Sequence, residues 1–284
     1  MKNLQLIESI TLLHLDEKES EWFQQKLNTV RTNNSSNAFY LAFASVHRFI
    51  SKDVLNFSSS ELAELNSIYP SFNKTNWSKD EFCRLTLVLS LPIETNTTYL
   101  EKLFQTADLR ELVILYKSLY LLDNASKFEK RVAEGVRTNM LNVFDAIALN
   151  NPFASKYMEE DSWNQMVLKS IFMQRPIYQI LGIQERNNHK LAAILSDYAH
   201  ERWAASRVIT PELWRMMSGF VNDQFFADLK RVIETDSEIA QAAAIKAIEE
   251  SEHQASKDWL QKNNIPPSKY SWEEIGELTE KILI

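Results

Sequence analysis

The sequence predicts an all-α fold, in which antiparallel helix pairs stack as an irregular, HEAT-like α-solenoid or pack as a helical bundle. The chain has only 4 glycines in 284 residues. That is about a fifth of average usage, and tight β-turns and phosphate loops both need glycine. Helix-start signals recur along the chain, and no two segments alternate in a way that predicts a strand pair.

The glycines are also far apart from one another. They stand at Gly135, Gly182, Gly219 and Gly276. A dinucleotide fingerprint and a phosphate-cradling loop each need several glycines within one short segment. The sequence therefore argues against a nucleotide-binding α/β fold.

Helix starts are marked by serine or threonine followed three residues later by glutamate. In this capping box, two side chains satisfy free backbone amides at a helix N-terminus. The pairs are Ser58/Glu61, Ser78/Glu81, Thr98/Glu101, Ser126/Glu129, Thr235/Glu238 and Ser271/Glu274. Thr210-Pro211 adds a start with proline in the first helical position. Helix ends are expected at Pro70, Pro92, Pro152 and Pro176.

Helical periodicity is clearest over residues 108–122. Apolar side chains recur there at helical spacing and predict one buried face, formed by Leu109, Leu112, Val113, Tyr116, Leu119 and Tyr120. In the last third, a helix carrying Phe225 and Leu229 is expected to pack on the alanine-rich segment 237–250, because alanine lets helices approach closely.

The connections between helices are expected to be short, which favours antiparallel neighbours. Examples are the segments 32–36 and 149–154. We expect one helical domain over residues 1–284. The turn Asn150-Asn151-Pro152 subdivides it into an N-terminal half, 1–149, and a C-terminal half, 150–284, that is richer in Trp, His and Arg.

Charge and cysteine content limit the classes of function. The 38 acidic and 31 basic residues give a formal net charge of -7, which repels phosphate backbones and anionic lipid, so we expect no nucleic-acid partner. The strongest apolar run, 85–91, is too short to span a membrane, so no membrane insertion is expected. The single cysteine, Cys83, predicts an inert buried thiol in a cytoplasmic protein. We expect no metal and no cofactor.

The segment 195–207 concentrates ionisable side chains within a few helical turns. On a helical wheel Asp197, His200 and Glu201 share one face, which is either a solvated or inter-helix polar face or a catalytic or metal-binding face. The zinc-protease pattern fails because Ala204 stands where its second histidine belongs. Arg202 falls inside an apolar stripe formed by Leu191, Ile194, Leu195 and Tyr198. It must therefore find a carboxylate or carbonyl groups, and it either bridges two helices or binds an anionic ligand group.

The preceding helix carries a predicted buried arc of Trp163, Met166, Val167 and Ile171. Asn164 stands at its edge and either recognises a ligand or ties down a neighbouring turn, whereas Gln165 and Lys169 point away. Trp203 and Trp214 either stack on a ligand or belong to the core. The acidic run 159–161 is expected to begin this helix, because it complements the positive end of the helix dipole.

Residues 151–215 resemble the EboA family. The resemblance rests on Asn151-Pro152, Tyr157, the run 163–169 (WNQMVLK), the run 195–205 (LSDYAHERWAA), Arg207 and the run 211–215 (PELWR). It covers about a quarter of the chain firmly and residues 223–262 loosely, while the first half resembles the family only in being helical. Ser206 stands where this family is expected to have glycine.

The resemblance implies a helical protein that is encoded with a prenyltransferase-like membrane enzyme and with hydrolase-like and sugar-isomerase-like proteins. These clusters are tied to moving secondary-metabolite precursors out of the cytoplasm. It implies a small metabolite or cluster-encoded proteins as partners, the prenyltransferase-like enzyme among them. The binding residues it implies, without catalytic roles, are Asn164, Gln165, Lys169, Asp197, His200, Glu201, Arg202, Trp203, Arg207 and Arg215.

Two functions follow as hypotheses. The first is a non-enzymatic helical adaptor or carrier that binds a metabolite or partner proteins in a polar groove around residues 197–207. The alternative is an enzyme, of hydrolase or transferase type, that acts on a metabolite through Asp197, His200 or Glu201. For the second, one of these side chains must meet a further acid, base or metal ligand.

Overall fold

A computed structural model of the protein describes residues 2–33 and 35–283. Within them the secondary structure is helical, without a β-strand, and a single isolated bridge joins Val54 and Ser78. The predicted all-α fold is confirmed, whereas the irregular HEAT-like stacking stays a prediction. The α-helices are α1 Lys2–His14, α2 Glu17–Thr32, α3 Ser36–Phe49, α4 Ser59–Ile68, α5 Lys79–Leu89, α6 Asn96–Phe104, α7 Leu109–Ser118, α8 Glu129–Gly135, α9 Leu141–Ala148, α10 Pro152–Tyr157, α11 Glu160–Phe172, α12 His189–Ala204, α13 Asp223–Thr235, α14 Glu238–Glu249, α15 Gln254–Lys262 and α16 Trp272–Leu283.

The chain forms two compact units. The first ends at Glu159 and the second begins at Glu160. None of the helices in residues 2–33 and 35–283 is both long enough and apolar enough to cross a membrane.

Helix α5 lies at the centre of the first unit. It packs against α1, α3 and α7 and is buried on nearly every side. Even its ion pair is internal, since Arg84 Nη1 lies 2.7 Å from Asp80 Oδ2 and both side chains are 5 % exposed. Burial also raises the pKa of the Cys83 thiol well above its usual value. The thiol is therefore buried, as predicted, and burial disfavours the reactive thiolate form.

The second unit is built around a buried 3-10 helix, Pro211–Met217, which we call the buried 3-10 segment. It packs against α12, α14 and α16. The contact with α14 is close because that helix presents alanines such as Ala243 and Ala247, each fully buried. The alanine-rich helix also packs on α13, as predicted. The start at Thr210-Pro211 is in the predicted place, but the helix that follows is 3-10.

Three of the six predicted capping boxes begin a helix. Ser58 and Glu61 exchange reciprocal side-chain to backbone hydrogen bonds, and so do Ser271 and Glu274. Ser78 is the N-cap of α5 and donates its backbone N–H to Glu81, 3.3 Å away.

The other three boxes are wrong as helix starts. Thr98 lies inside α6, and Thr235 ends α13, while α14 begins after Ser237. Ser126 belongs to a short 3-10 helix, Ala125–Phe128, that leads into α8. Two unpredicted boxes instead use aspartate as the N-cap, Asp16 with Glu19 and Asp108 with Glu111.

The proline stops are mostly correct. Pro70, Pro92 and Pro176 follow the ends of α4, α5 and α11. Pro152 is instead the first residue of α10, so the connection predicted at 149–154 is shorter than expected. The connection predicted at 32–36 includes position 34, which lies outside the described residues.

The predicted buried stripe of α7 is only partly correct. Leu109 is 42 % exposed, whereas Ile114, Leu115 and even Lys117 are buried. The reason is that the C-terminal half of α7 packs against both α5 and α9 and is covered on all sides. A single-stripe prediction fails for a half-helix of this kind.

Candidate functional site

Helix α12 carries most of the predicted site residues. Its buried side is formed by Leu191, Leu195 and Ala199, while Ile194 and Tyr198 are only partly covered. The buried face of α12 therefore shares Leu191 and Leu195 with the predicted stripe, but it is rotated about the helix axis away from Ile194 and Tyr198. The buried side also carries Ala192 and Ser196, and together with Ala199 these small side chains let it approach the neighbouring elements closely.

The polar face of α12 is open to solvent. Asp197 and Glu201 are exposed, and so is Arg207 beyond the helix end. These three side chains therefore lie in solvent, as a solvated face requires.

His200 is the member of this face that meets another titratable group. Its Nε2 lies 2.6 Å from Oδ1 of Asp228 on α13, and Oδ2 of Asp228 accepts a hydrogen bond from Ser196 Oγ at 2.8 Å. The histidine side chain is 47 % exposed, whereas that of Asp228 is 8 % exposed. This is a histidine held in place by a buried carboxylate.

Trp203 is covered by protein groups on its ring faces. Its ring stacks on His200 at 5.6 Å and on Trp214 at 5.7 Å, and the Arg231 guanidinium lies 4.2 Å from its centroid. Trp214 itself is fully buried. Both tryptophans therefore contribute to packing, as their core interpretation predicts.

Arg202 closes the end of α12. Its Nε and Nη2 donate to the Val208 carbonyl at 3.0 and 2.6 Å. The arginine thus finds a carbonyl group, as one of its predicted alternatives requires, but it lies beside its own helix end instead of in the core.

The same helix end is a Schellman motif. Arg207 N donates to Arg202 O at 2.8 Å, and Ser206 N donates to Trp203 O at 3.0 Å. Ser206 has φ 54°, in the left-handed region that favours glycine. The backbone therefore accounts for the expected glycine at this position.

On α11, Asn164 has a structural role. Its amide pairs reciprocally with that of Asn188, at 3.2 and 2.8 Å. Asn188 is the N-cap of α12 and accepts from Leu191 N. Gln165 is exposed, and Lys169 is partly buried, which lowers its pKa. The acidic run does begin this helix, and the predicted buried arc is confirmed.

Arg215 is buried on the 3-10 segment. Its Nε donates to Gln184 Oε1 at 3.1 Å, and its Nη2 lies 3.5 Å from Glu273 Oε1. Its Nη1 is enclosed without a hydrogen-bond partner among the described atoms. Burial lowers the pKa of the guanidinium, although the nearby Glu273 and Glu212 oppose that change.

The second unit also contains a small polar cleft, which we call the Glu212 cleft. Its volume is about 220 Å³. It is formed by the segment after α11, the start of the buried 3-10 segment and the end of α16. The lining residues are Met173, Gln174, Arg175, Pro176, Thr210, Glu212, Thr279 and Glu280.

Glu212 is the buried acid of this cleft, with 4 % exposure. One of its oxygens, Oε1, accepts the Tyr178 backbone N–H at 2.7 Å. Burial raises the pKa of Glu212 to about 7, against the opposing effects of this hydrogen bond and of Arg215. The carboxyl group therefore changes protonation near neutral pH.

Tyr178 links the two acidic residues of the cleft. It donates its hydroxyl hydrogen to Glu280 Oε2 at 2.8 Å, while its backbone N–H binds Glu212. Its ring lies against Gly276 on α16, where an added Cβ would overlap the ring. The close approach of the Tyr178 ring to α16 thus requires glycine at position 276.

Neither Glu212 nor Glu280 is among the site residues predicted from the sequence. A signal for Glu212 exists, since it is a lone acid beside the apolar run Leu213, Trp214, Met216 and Met217. A carboxylate among such neighbours is expected to be buried and perturbed. Glu280 gives no such signal, because it stands on an ordinary amphipathic helix. Across residues 2–33 and 35–283, no three His, Cys, Asp or Glu side chains are grouped so that they could hold a metal ion.

The fold places the chain among all-helical proteins. Within that class, the sequence model of a family described as metabolite traffic protein EboA matches residues 3–218, and the chain belongs to the EboA family. The match includes the first half, which the resemblance did not cover, and it ends before residues 223–262, which the resemblance included loosely. Searches of curated proteins and of solved structures found no significant match.

Proposed function

We propose that this chain is a non-enzymatic carrier in metabolite traffic that binds a small polar metabolite in the Glu212 cleft. The observation that carries the proposal is a buried carboxyl group lining an open cleft of about 220 Å³. At about 30 Å³ for each water molecule, such a volume accommodates a polar group of roughly seven heavy atoms. Convergent polar groups around a cleft are typical of ligand sites.

The lining favours binding over chemistry. Glu212 and Glu280 are both held by Tyr178, so the two carboxyl groups are fixed relative to one another. Fixed acceptors select a ligand with matching donors at little entropic cost. The traffic role agrees with the description of the family.

The experiment is native mass spectrometry of the protein purified without denaturation from the cells that produce it. The comparison variant is Thr210→Trp, which fills the cleft; Thr210 lines it and makes no capping hydrogen bond, so the fold does not depend on its hydroxyl. Circular dichroism checks that the variant is folded. We expect the wild type to retain a small molecule that the variant loses. A wild type without a ligand, or a variant that keeps it, contradicts the proposal.

A second candidate function, an enzyme, is favoured by the 2.6 Å contact between His200 and Asp228. A half-exposed imidazole held by a buried carboxylate is the arrangement of a general base. Ser196 binds the carboxylate and not the imidazole, so no serine nucleophile is activated here. Conversion of the retained metabolite by the wild type, lost in His200→Gln, would favour the enzyme over the carrier.

A further inference from the structure

Three large apolar side chains stand close in sequence to the residues that line the Glu212 cleft. Each of the three segments that line it carries one strongly exposed apolar residue within two positions of a lining residue. These are Phe172, Val208 and Ile282, which are 67, 78 and 69 % exposed. We call them the apolar rim.

The rim is unusual for this protein. Elsewhere in the described residues only Leu13 and Leu41 are as exposed among the large apolar side chains, at 74 and 69 %, and Val54 follows at 60 %. Single exposed apolar residues need no explanation, but three that stand within two positions of the lining residues of one cleft favour a binding surface at its edge. Covering such a side chain with an apolar group is favourable by roughly 25 cal/mol of free energy per Å² of apolar surface removed from water.

The charges inside the cleft restrict the polar end of the ligand. Its ionisable groups are Glu212 and Glu280 with a single cation, Arg175. An anionic group would lie beside two carboxyl groups, whereas an ammonium group would be attracted by both. Thr210 and Thr279 supply further oxygen acceptors in the lining. The lining therefore favours a cationic donor.

We infer that the ligand is an amphiphilic amine, with its ammonium head between Glu212 and Glu280 and its apolar chain over the rim of Phe172, Val208 and Ile282. This inference rests on the proposed function, because it names the chemistry of the metabolite that the same cleft binds. The ammonium head of the ligand determines which ligands enter the cleft. The alkyl chain of the ligand adds affinity in proportion to the number of methylenes that the rim covers.

The test is calorimetric titration of the whole chain at pH 8 with n-alkylamines from butylamine to octylamine, and with alkanoates of the same lengths. We expect the affinity for amines to rise about two- to fourfold for each added methylene, because a fully buried CH₂ contributes about 0.8 kcal/mol and the rim covers one side of the chain. Each alkanoate should bind at least about tenfold more weakly than the matching amine.

Variants separate the head from the chain. Replacing all three rim residues by serine should flatten the increase with chain length, and should weaken octylamine more than butylamine. The matched control is Leu41→Ser in the first unit, which removes an equally exposed apolar side chain and should keep the increase. Glu212→Gln should weaken every amine by a similar factor without changing the increase.

Other outcomes overturn the inference. If the affinity of the wild type for amines does not depend on chain length, the cleft has no apolar subsite. If the rim variant keeps the same dependence on chain length, the three rim residues do not form that subsite. Equal binding of amines and alkanoates excludes the cationic head. Sedimentation with phosphatidylethanolamine vesicles that the rim variant abolishes would assign the rim to a membrane surface instead of a free amphiphile. The carrier proposal survives each of these results if the wild type retains a metabolite that Thr210→Trp loses.

Discussion

Ser206 is expected to be a stability defect that glycine repairs. Its φ of 54° places an L-residue in the left-handed region, at a cost of about 1–2 kcal/mol. Glycine removes that cost but loses about 0.5–1 kcal/mol more backbone entropy on folding than alanine does. The Ser206→Gly variant should therefore be more stable than the wild type by about 0.5–1 kcal/mol.

The matched control is the preceding residue. Ala205 has φ −92° and ψ 6° and is not strained, so Ala205→Gly should lose about 0.5–1 kcal/mol from entropy alone. Both residues are exposed, so neither change opens a cavity. The main difference between the two variants is the backbone conformation that glycine meets, left-handed at 206 and not at 205.

Urea denaturation of the three proteins, followed by tryptophan fluorescence, measures these changes as shifts of the midpoint at constant slope. Thermal melting should show the same order, with Ser206→Gly about 1–3 °C above the wild type. If Ser206→Gly destabilises the protein as much as Ala205→Gly does, the strain argument is wrong.

Three further predictions test the second unit. The pKa of Glu212, raised to about 7 from 4.5, means that the folded state keeps a proton that the unfolded state loses, so stability falls between pH 5 and 8. Glu212→Gln should remove about 2–3 kcal/mol of that fall in urea titrations; an unchanged pH dependence contradicts the burial argument. Gly276→Ala should cost about 1–3 kcal/mol through overlap with Tyr178, whereas Gly219→Ala, with open space around it, should not destabilise. Asn164→Ala should cost about 1–3 kcal/mol and lower the thermal midpoint, because the amide that caps α12 loses its buried partner; a neutral change would refute that role.

The sequence predicted the fold class well because helix signals are local. A capping box needs only four consecutive residues, and the boxes at Ser58 and Ser271 formed as predicted. The pattern failed at Thr98, where helix α6 had already begun. A capping pair in the middle of a helix looks the same in sequence as one at its start, and only the preceding residues decide between them.

The candidate site was less predictable. A helical wheel placed Arg202 in the apolar stripe, but the helix ends two residues later, at Ala204, so its side chain turns back to the Val208 carbonyl. The Glu212 cleft joins segments around residues 174, 211 and 280. No periodicity relates such distant segments, because their contact is fixed by packing around the buried 3-10 segment.

The limits of the family match have a consequence for anyone who divides this chain. The match ends at residue 218, directly after the buried 3-10 segment, whereas its cover comes from α14 and α16. A chain cut there would present Leu213, Trp214 and Met216 to water, and its product would aggregate before any ligand could be tested. The family match therefore ends inside the second unit, before the helices that cover the buried 3-10 segment. Everything from α13 onward therefore belongs in any protein made to study this cleft.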